Sequence, residues 1–122
     1  MFNISSVLSK FAIPGRAPYS VSKAGVTQLA RVATLELAPY GIRVNVVHPD
    51  AVFDTNLWTQ EALKNSADRY NMTVEEYKHK NLLGVEVTSK TVGNLVSALA
   101  SDLFSATTGA QIPIDGGNER VI

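Results

Sequence analysis

The chain has 122 residues, of which 45% are hydrophobic and 18% charged, enough for one domain or part of one with a modest core. Lys+Arg and Asp+Glu both number 11, so the formal net charge is zero and nothing electrostatic argues for nucleic acid or an anionic membrane as partner. There is no run of about 18 apolar residues, and the opening Met1-Phe2-Asn3-Ile4-Ser5-Ser6 lacks the basic-then-apolar pattern of a secretory signal. The absence of cysteine excludes disulfides, thiolate zinc sites and thiol catalysis, and points to a reduced, cytoplasmic location.

Asn3-Ile4-Ser5-Ser6 reads as the tail of a strand, and Pro14, Gly15 and Pro18 mark residues 9–18 as a loop. Residues 19–38 form the clearest helix. Val21, Ala24, Leu29, Val32, Leu35 and Leu37 spread over much of its circumference, which predicts burial on more than one side. Pro39 stops it, Gly41 suits the turn, and the β-branched run at 42–47 predicts a strand. A long helix feeding a short apolar strand signals an α/β fold with a parallel sheet.

Residues 50–87 are more polar and predict two short helices, 57–65 and 74–81, the second opened by the capping box Thr73-Val74-Glu75-Glu76. This stretch reads as an excursion over the sheet, a substrate-side lid. Val92, Leu95, Val96, Leu99 and Leu103 predict an amphipathic helix over 89–103. Residues 111–114 predict a last strand, which Pro113 demotes to an edge, and Asp115-Gly116-Gly117 a turn.

Tyr19 and Lys23 stand four residues apart on one helical face, and Ser6 lies thirteen residues before Tyr19 at a strand end. The carboxyl ends of parallel strands are where such folds bind ligands. A tyrosine ordinarily ionises near ~10, so acid–base work near neutrality needs a neighbouring cation, which Lys23 can supply. By itself, Tyr-x-x-x-Lys is a weak signal and more often marks a surface tyrosine beside a solvated lysine. His48, Asp50 and Asp54 match no metal-site spacing, so no metal is expected. Trp58, Phe53 and Leu57 would either line a substrate pocket or anchor the excursion. Arg31 and Arg43 read as surface or interface charges, and His79 as a solvated helix residue.

Four segments change the weight of the Tyr-Lys pair: Asn3-Ile4-Ser5-Ser6, the stretch from Tyr19-Ser20-Val21-Ser22-Lys23 to Val26, the stretch from Leu35-Glu36-Leu37-Ala38-Pro39 to His48-Pro49, and Thr108-Gly109-Ala110-Gln111 through Asp115-Gly116-Gly117. In order and spacing they resemble the short-chain dehydrogenase/reductase family over nearly the whole chain. The resemblance implies the carboxyl-terminal half of a Rossmann-type, doubly wound parallel sheet: about three strands, two long helices and a small helical lid. It also implies that Tyr19 is the general acid/base, that Lys23 favours the phenolate and contacts the nicotinamide ribose, and that Ser6, with Ser5 as the neighbouring candidate, hydrogen-bonds the substrate oxygen. Pro49, Asp50, Val52, Phe53 and Thr55 would meet the nicotinamide of NAD or NADP.

Two departures qualify this. The family usually has Pro-Gly where this chain has Pro49-Asp50, and Thr55 falls one residue late. The segment from His48 to Trp58, with Asn81-Leu82-Leu83, Glu86-Val87-Thr88-Ser89 and the ending Asp115 to Ile122, resembles the dehydrogenase part of bifunctional rhamnulose-1-phosphate aldolase/short-chain dehydrogenases. That subgroup favours NAD and implies lactaldehyde oxidation in rhamnose catabolism. In addition, no Gly-rich turn opens a helix, no acidic ribose partner follows it, and the family's upstream catalytic Asn is absent. The expectation is a partial domain over 1–122 whose partners are a small-molecule substrate, further copies of itself in a homo-oligomer, and a missing amino-terminal half or fused aldolase domain. Its rival is an inactive half-domain that only associates.

Overall fold

The computed structural model describes residues 1–11 and 13–118; the expected ending at 119–122 lies outside the described residues. Three parallel strands, β1 (Phe2–Ile4), β2 (Asn45–Pro49) and β3 (Gln111–Ile114), form one sheet in the order β1-β2-β3. Asn3 is paired with Val46, and Val47 with Ile112. The central strand is the apolar one: Val46 and Val47 are buried, with Val44 just before it. Pro113 lies on β3, an edge among the described residues, where its missing N–H breaks no outer ladder.

Helix α1 (Ala17–Leu37) joins β1 to β2. It begins two residues earlier than expected because Pro18 sits in its first turn, where a missing N–H costs nothing. Ala30 and Ala33 pack on Val44 and Val46, with Leu37 alongside, and the small side chains let helix and sheet approach closely. The expectation of burial on more than one side is corrected here. Thr27, Ala30 and Ala33 are buried, whereas Val21, Leu29 and Leu35 are exposed because no element among the described residues covers that face.

The second strand begins at Asn45 rather than at residue 42. A 3-10 turn (Ala38–Tyr40) prolongs the helix end, Gly41 takes the left-handed conformation at φ 71°, and Ile42 N–H returns to the Leu37 carbonyl. Tertiary bonds then define the strand: Val44 N–H donates to Thr108 Oγ1 (3.0 Å), and Asn45 is gripped by Thr107 O and Ala110 N–H, each at 3.1 Å.

The excursion holds α2 (Gln60–Arg69) and α3 (Val74–Lys78). Helix α2 starts at residue 60, not 57, because Thr59 caps it by accepting from Ala62 N–H. Helix α3 has the expected capping box, with Thr73 and Glu76 bonded reciprocally at 2.7 and 3.1 Å. It ends at Lys78 rather than residue 81, since Asn81 instead clamps the following loop through both Val85 backbone groups. Phe53, Leu63, Ala67 and Tyr77 make a second core here, with Ala51, Trp58 and Val74 against it.

Helix α4 (Ser89–Ala100) also stops short of residue 103. Arg43 reaches across to the carbonyls of Leu99 (2.8 Å) and Ala100 (3.3 Å), closing the helix from outside. Arg43 is therefore a structural cap and not the surface or interface charge expected. Leu99 is fully buried, whereas Leu103, past the cap on a 3-10 turn (Asp102–Phe104), is exposed. No helix among the described residues is long and apolar enough to cross a membrane.

Candidate active site

The residues singled out by sequence gather where β1 ends and α1 begins. Ser5 and Ser6 follow β1 directly, and both are buried. The Ser5 hydroxyl donates to the Lys23 carbonyl (2.9 Å) and shares a hydrogen with Thr27 Oγ1 (2.9 Å), pinning the strand end to the helix. Ser6 differs: its oxygen accepts from Leu8 N–H at 3.2 Å, capping a 3-10 turn (Val7–Ser9), and its proton stays available to donate. The two serines thus divide into a clip, Ser5, and a hydroxyl with capacity left, Ser6, the one that the thirteen-residue spacing to Tyr19 favours.

Tyr19 lies in the first turn of α1 and is 41% exposed. One turn on, Lys23 Nζ donates to the Ile4 carbonyl (3.2 Å) and sits 5.7 Å from the centre of the Tyr19 ring. The ammonium is held by the last residue of β1 and faces the aromatic ring. Helix and sheet therefore bring Tyr19, Lys23 and the end of β1 together; Ser6 joins them through the adjacent main chain.

The segment after β2 carries the other expected contacts. Pro49 is the last residue of β2 and is half-buried. Asp50 accepts from the Asn118 amide, and Ala51 takes the left-handed conformation at φ 51°, a strained choice for a residue with a β-carbon. Val52 is half-buried and its carbonyl accepts from Thr55 Oγ1 at 3.0 Å. The Phe53 ring is buried, 5.0 Å from the centre of Trp58 and 5.6 Å from that of Tyr77. Trp58 thus helps anchor the excursion, while Leu57 is exposed. Asp54 caps α4 through Ser89 N–H (2.8 Å) and Ser89 Oγ (2.7 Å), and these bonds hold its carboxyl below the ordinary range. His48, Asp50 and Asp54 therefore serve three separate contacts. A recess among Asp50, Phe53, Tyr77, Asn81 and Asn118 is lined by neither Tyr19 nor Lys23.

Sequence reasoning missed His48. It is 1% exposed on β2, with Nδ1 3.0 Å from the Ser6 carbonyl and 3.2 Å from Ser9 Oγ. The available signal was an imidazole inside an apolar strand, a group that burial obliges to find partners.

Residues 1–119 match the family described as enoyl-(acyl carrier protein) reductase. Trans-4-hydroxycyclohexanecarboxylate dehydrogenase of Sinomonas cyclohexanicum is 33% identical over 117 residues, 96% of this chain and 40% of that protein. The oxidoreductase YuxG of Bacillus subtilis is 32% identical over 122 residues, 96% of this chain and only 18% of that much longer protein. Among solved structures, a short chain dehydrogenase family protein from Francisella tularensis superposes with a TM-score of 0.77 at 30% identity, covering 97% of this chain and 50% of that one. The chain thus spans half or less of the length of these relatives.

Proposed function

This chain belongs to the short-chain dehydrogenase/reductase family, and we propose that it carries the proton-transfer site of an NAD(P)-dependent oxidoreductase acting on a small hydroxy or aldehyde compound. The observation that carries this reading is the Lys23 ammonium, tied to the Ile4 carbonyl and facing an exposed Tyr19 at the carboxyl end of the sheet.

The donor set fits the nicotinamide end of a dinucleotide. Tyr19 and Lys23 offer a hydroxyl and a cation for ribose hydroxyls, and the backbone from Pro49 to Thr55, Asp50, Val52 and Phe53 included, would border the ring. When bound, the cofactor supplies or takes up the hydride. The chain's own residues handle the proton. For reduction, the Tyr19 hydroxyl donates to the substrate carbonyl oxygen; for oxidation, the phenolate accepts the alcohol proton. Lys23 stabilises the anionic oxygen by its charge. Ser6 donates its free proton to the same substrate oxygen and orients it, while Leu8 N–H keeps the serine in place. The sequence carries no Gly-rich turn opening a helix, so pyrophosphate and adenosine must be held by residues outside these 122.

Lactaldehyde, in rhamnose breakdown and beside a fused aldolase, is the finer form of this proposal, with NAD as the favoured cofactor. It is supported by the segment from His48 to Trp58 and by a relative, YuxG, in which the matched part is only 18% of the length. The zero-cysteine composition supports a cytoplasmic setting. A homo-oligomer is supported by the exposed Val21, Leu29 and Leu35 of α1. The same observation favours a second reading, association without activity.

The test is oxidation of NADH or NADPH by a complete dehydrogenase containing this sequence, with lactaldehyde and other short aldehydes as acceptors. Turnover with lactaldehyde and NADH supports the finer form, and turnover only with bulkier carbonyls or NADPH sinks it. No turnover with any carbonyl, together with stable self-association, would favour the second reading.

A further inference from the structure

A chain of polar side chains crosses the sheet beneath the candidate site. A carbonyl oxygen can only accept, so the 3.0 Å contact between His48 Nδ1 and the Ser6 carbonyl requires the proton on Nδ1. Ser9 Oγ, 3.2 Å from the same nitrogen, then shares that hydrogen or turns its own elsewhere. Burial pushes the imidazole below its ordinary value, against the bonds to Ser6 and Gln111; Lys10, just after the first 3-10 turn, and Arg31 on α1 push it down further. The ring is therefore neutral, and Nε2 is a bare lone pair in the interior.

That lone pair needs a donor, and Gln111 on β3 reaches it. With the amide of Gln111 turned one way, Nε2 is orphaned. With the amide turned the other way, Gln111 Oε1 accepts from Arg31 Nε (2.9 Å) and Nη2 (3.2 Å), and its NH2 is left for His48. The second arrangement pairs Gln111 with Arg31 and frees its NH2 as a donor. Arg31 on α1, Gln111 on β3, His48 on β2 and Ser6 in the turn after β1 then stand in one line.

We propose that His48 is a positioning residue: as the Nδ1–H tautomer, backed by Gln111 and Arg31, it fixes the main chain of Ser6 and so aims the Ser6 hydroxyl. The anchor rests on these hydrogen bonds; its catalytic meaning rests on the dehydrogenase reading above.

The test is long-range proton–nitrogen correlation on the full chain with labelled histidine, combined with the carbon shift of the Ser6 carbonyl. His48 should show a protonated Nδ1 and an unprotonated Nε2 at neutral pH. An Nε2–H tautomer there would overturn the proposal. His48→Leu should move the Ser6 carbonyl shift; His48→Asn, whose amide N–H stands near the lost Nδ1–H, should restore it. Equal shifts in the two variants would count against the anchor. If His48→Leu does not fold, the tautomer of the parent and an unmoved Ser6 carbonyl in His48→Asn decide. In a complete dehydrogenase, His48→Leu should lower kcat about ten- to a hundredfold at unchanged KM for cofactor, with recovery in His48→Asn. An inactive parent would contradict the function proposed above, while the spectra would still judge the anchor.

Discussion

The layer of α1 on the sheet and the excursion over 50–87 are held together by opposite means. The first packs small and β-branched residues, Ala30, Ala33, Val44 and Val46, and ties them with polar bonds between residues far apart in sequence. Ser5 bonds to Thr27, Asn45 to Thr107 and Ala110, and Arg43 to Leu99. The second is an aromatic cluster, Phe53, Trp58, Tyr77 and Tyr70, with ring centres 5.0 to 6.4 Å apart and helices capped by their own neighbours. Polar contacts join it to the rest at both ends: Ser89 donates to Asp54, Asn118 to Asp50 and Leu83 N–H to the Gly116 carbonyl (3.0 Å), and the Asn81 amide lies so close to Gly116 that a β-carbon there would meet it at 2.4 Å. The difference assigns roles. The cross-linked layer carries Tyr19, Lys23 and Ser6, whereas the excursion has a core of its own.

The comparison can be broken by emptying each core separately. Phe53→Ala should cost about 3–5 kcal/mol and should expose the amides of α2 and α3 to hydrogen exchange while those of β2 stay protected. Leu99→Ala should cost about 2–5 kcal/mol with the opposite pattern, since Leu99 is fully buried beneath the Arg43 cap. Identical exchange patterns in the two variants would mean one cooperative unit instead of two regions.

Acid sharpens the same contrast. The folded chain holds His48 neutral where the unfolded chain would protonate it, so the unfolded state binds more protons as pH falls. His48 should contribute its full stabilisation above about 6.5 and lose it as pH falls through the lowered folded value. Denaturant titrations at several pH values should show this loss in the parent and not in His48→Asn. The carboxyls of Asp54 and Glu76, held low by bonds from Ser89 and Thr73, act at lower pH. The smallest effect expected is Thr73→Ala, about 1 kcal/mol, read as fraying confined to α3; a loss reaching β2 would contradict the separation.

How much of this was legible in the sequence follows the same division. The capping box at Thr73 and the edge position of Pro113 were readable because each depends on residues within a few positions or on a lost donor. The start of β2 was not, because Thr107, Thr108 and Ala110 grip it from more than 60 residues away. Arg43 looked like a surface charge because nothing local reveals that the end of α4 arrives beside it. The α1 pattern was read as buried on more than one side, yet periodicity reports apolar faces and not whether the described residues supply a cover for them. In the candidate site, Tyr19, Lys23 and Ser6 were found by spacing and resemblance. His48 was weighed only as a metal ligand, because its partners come from a strand end and from β3.

The central claim is that Tyr19 moves the proton while Lys23 and Ser6 serve it. Its most direct test is Tyr19→Phe in a complete dehydrogenase containing this chain, with turnover and cofactor affinity measured on the same preparation. Loss of the hydroxyl with the ring retained should lower turnover about 10²–10⁴-fold and leave cofactor binding nearly intact. Turnover within a few-fold of the parent would contradict the account.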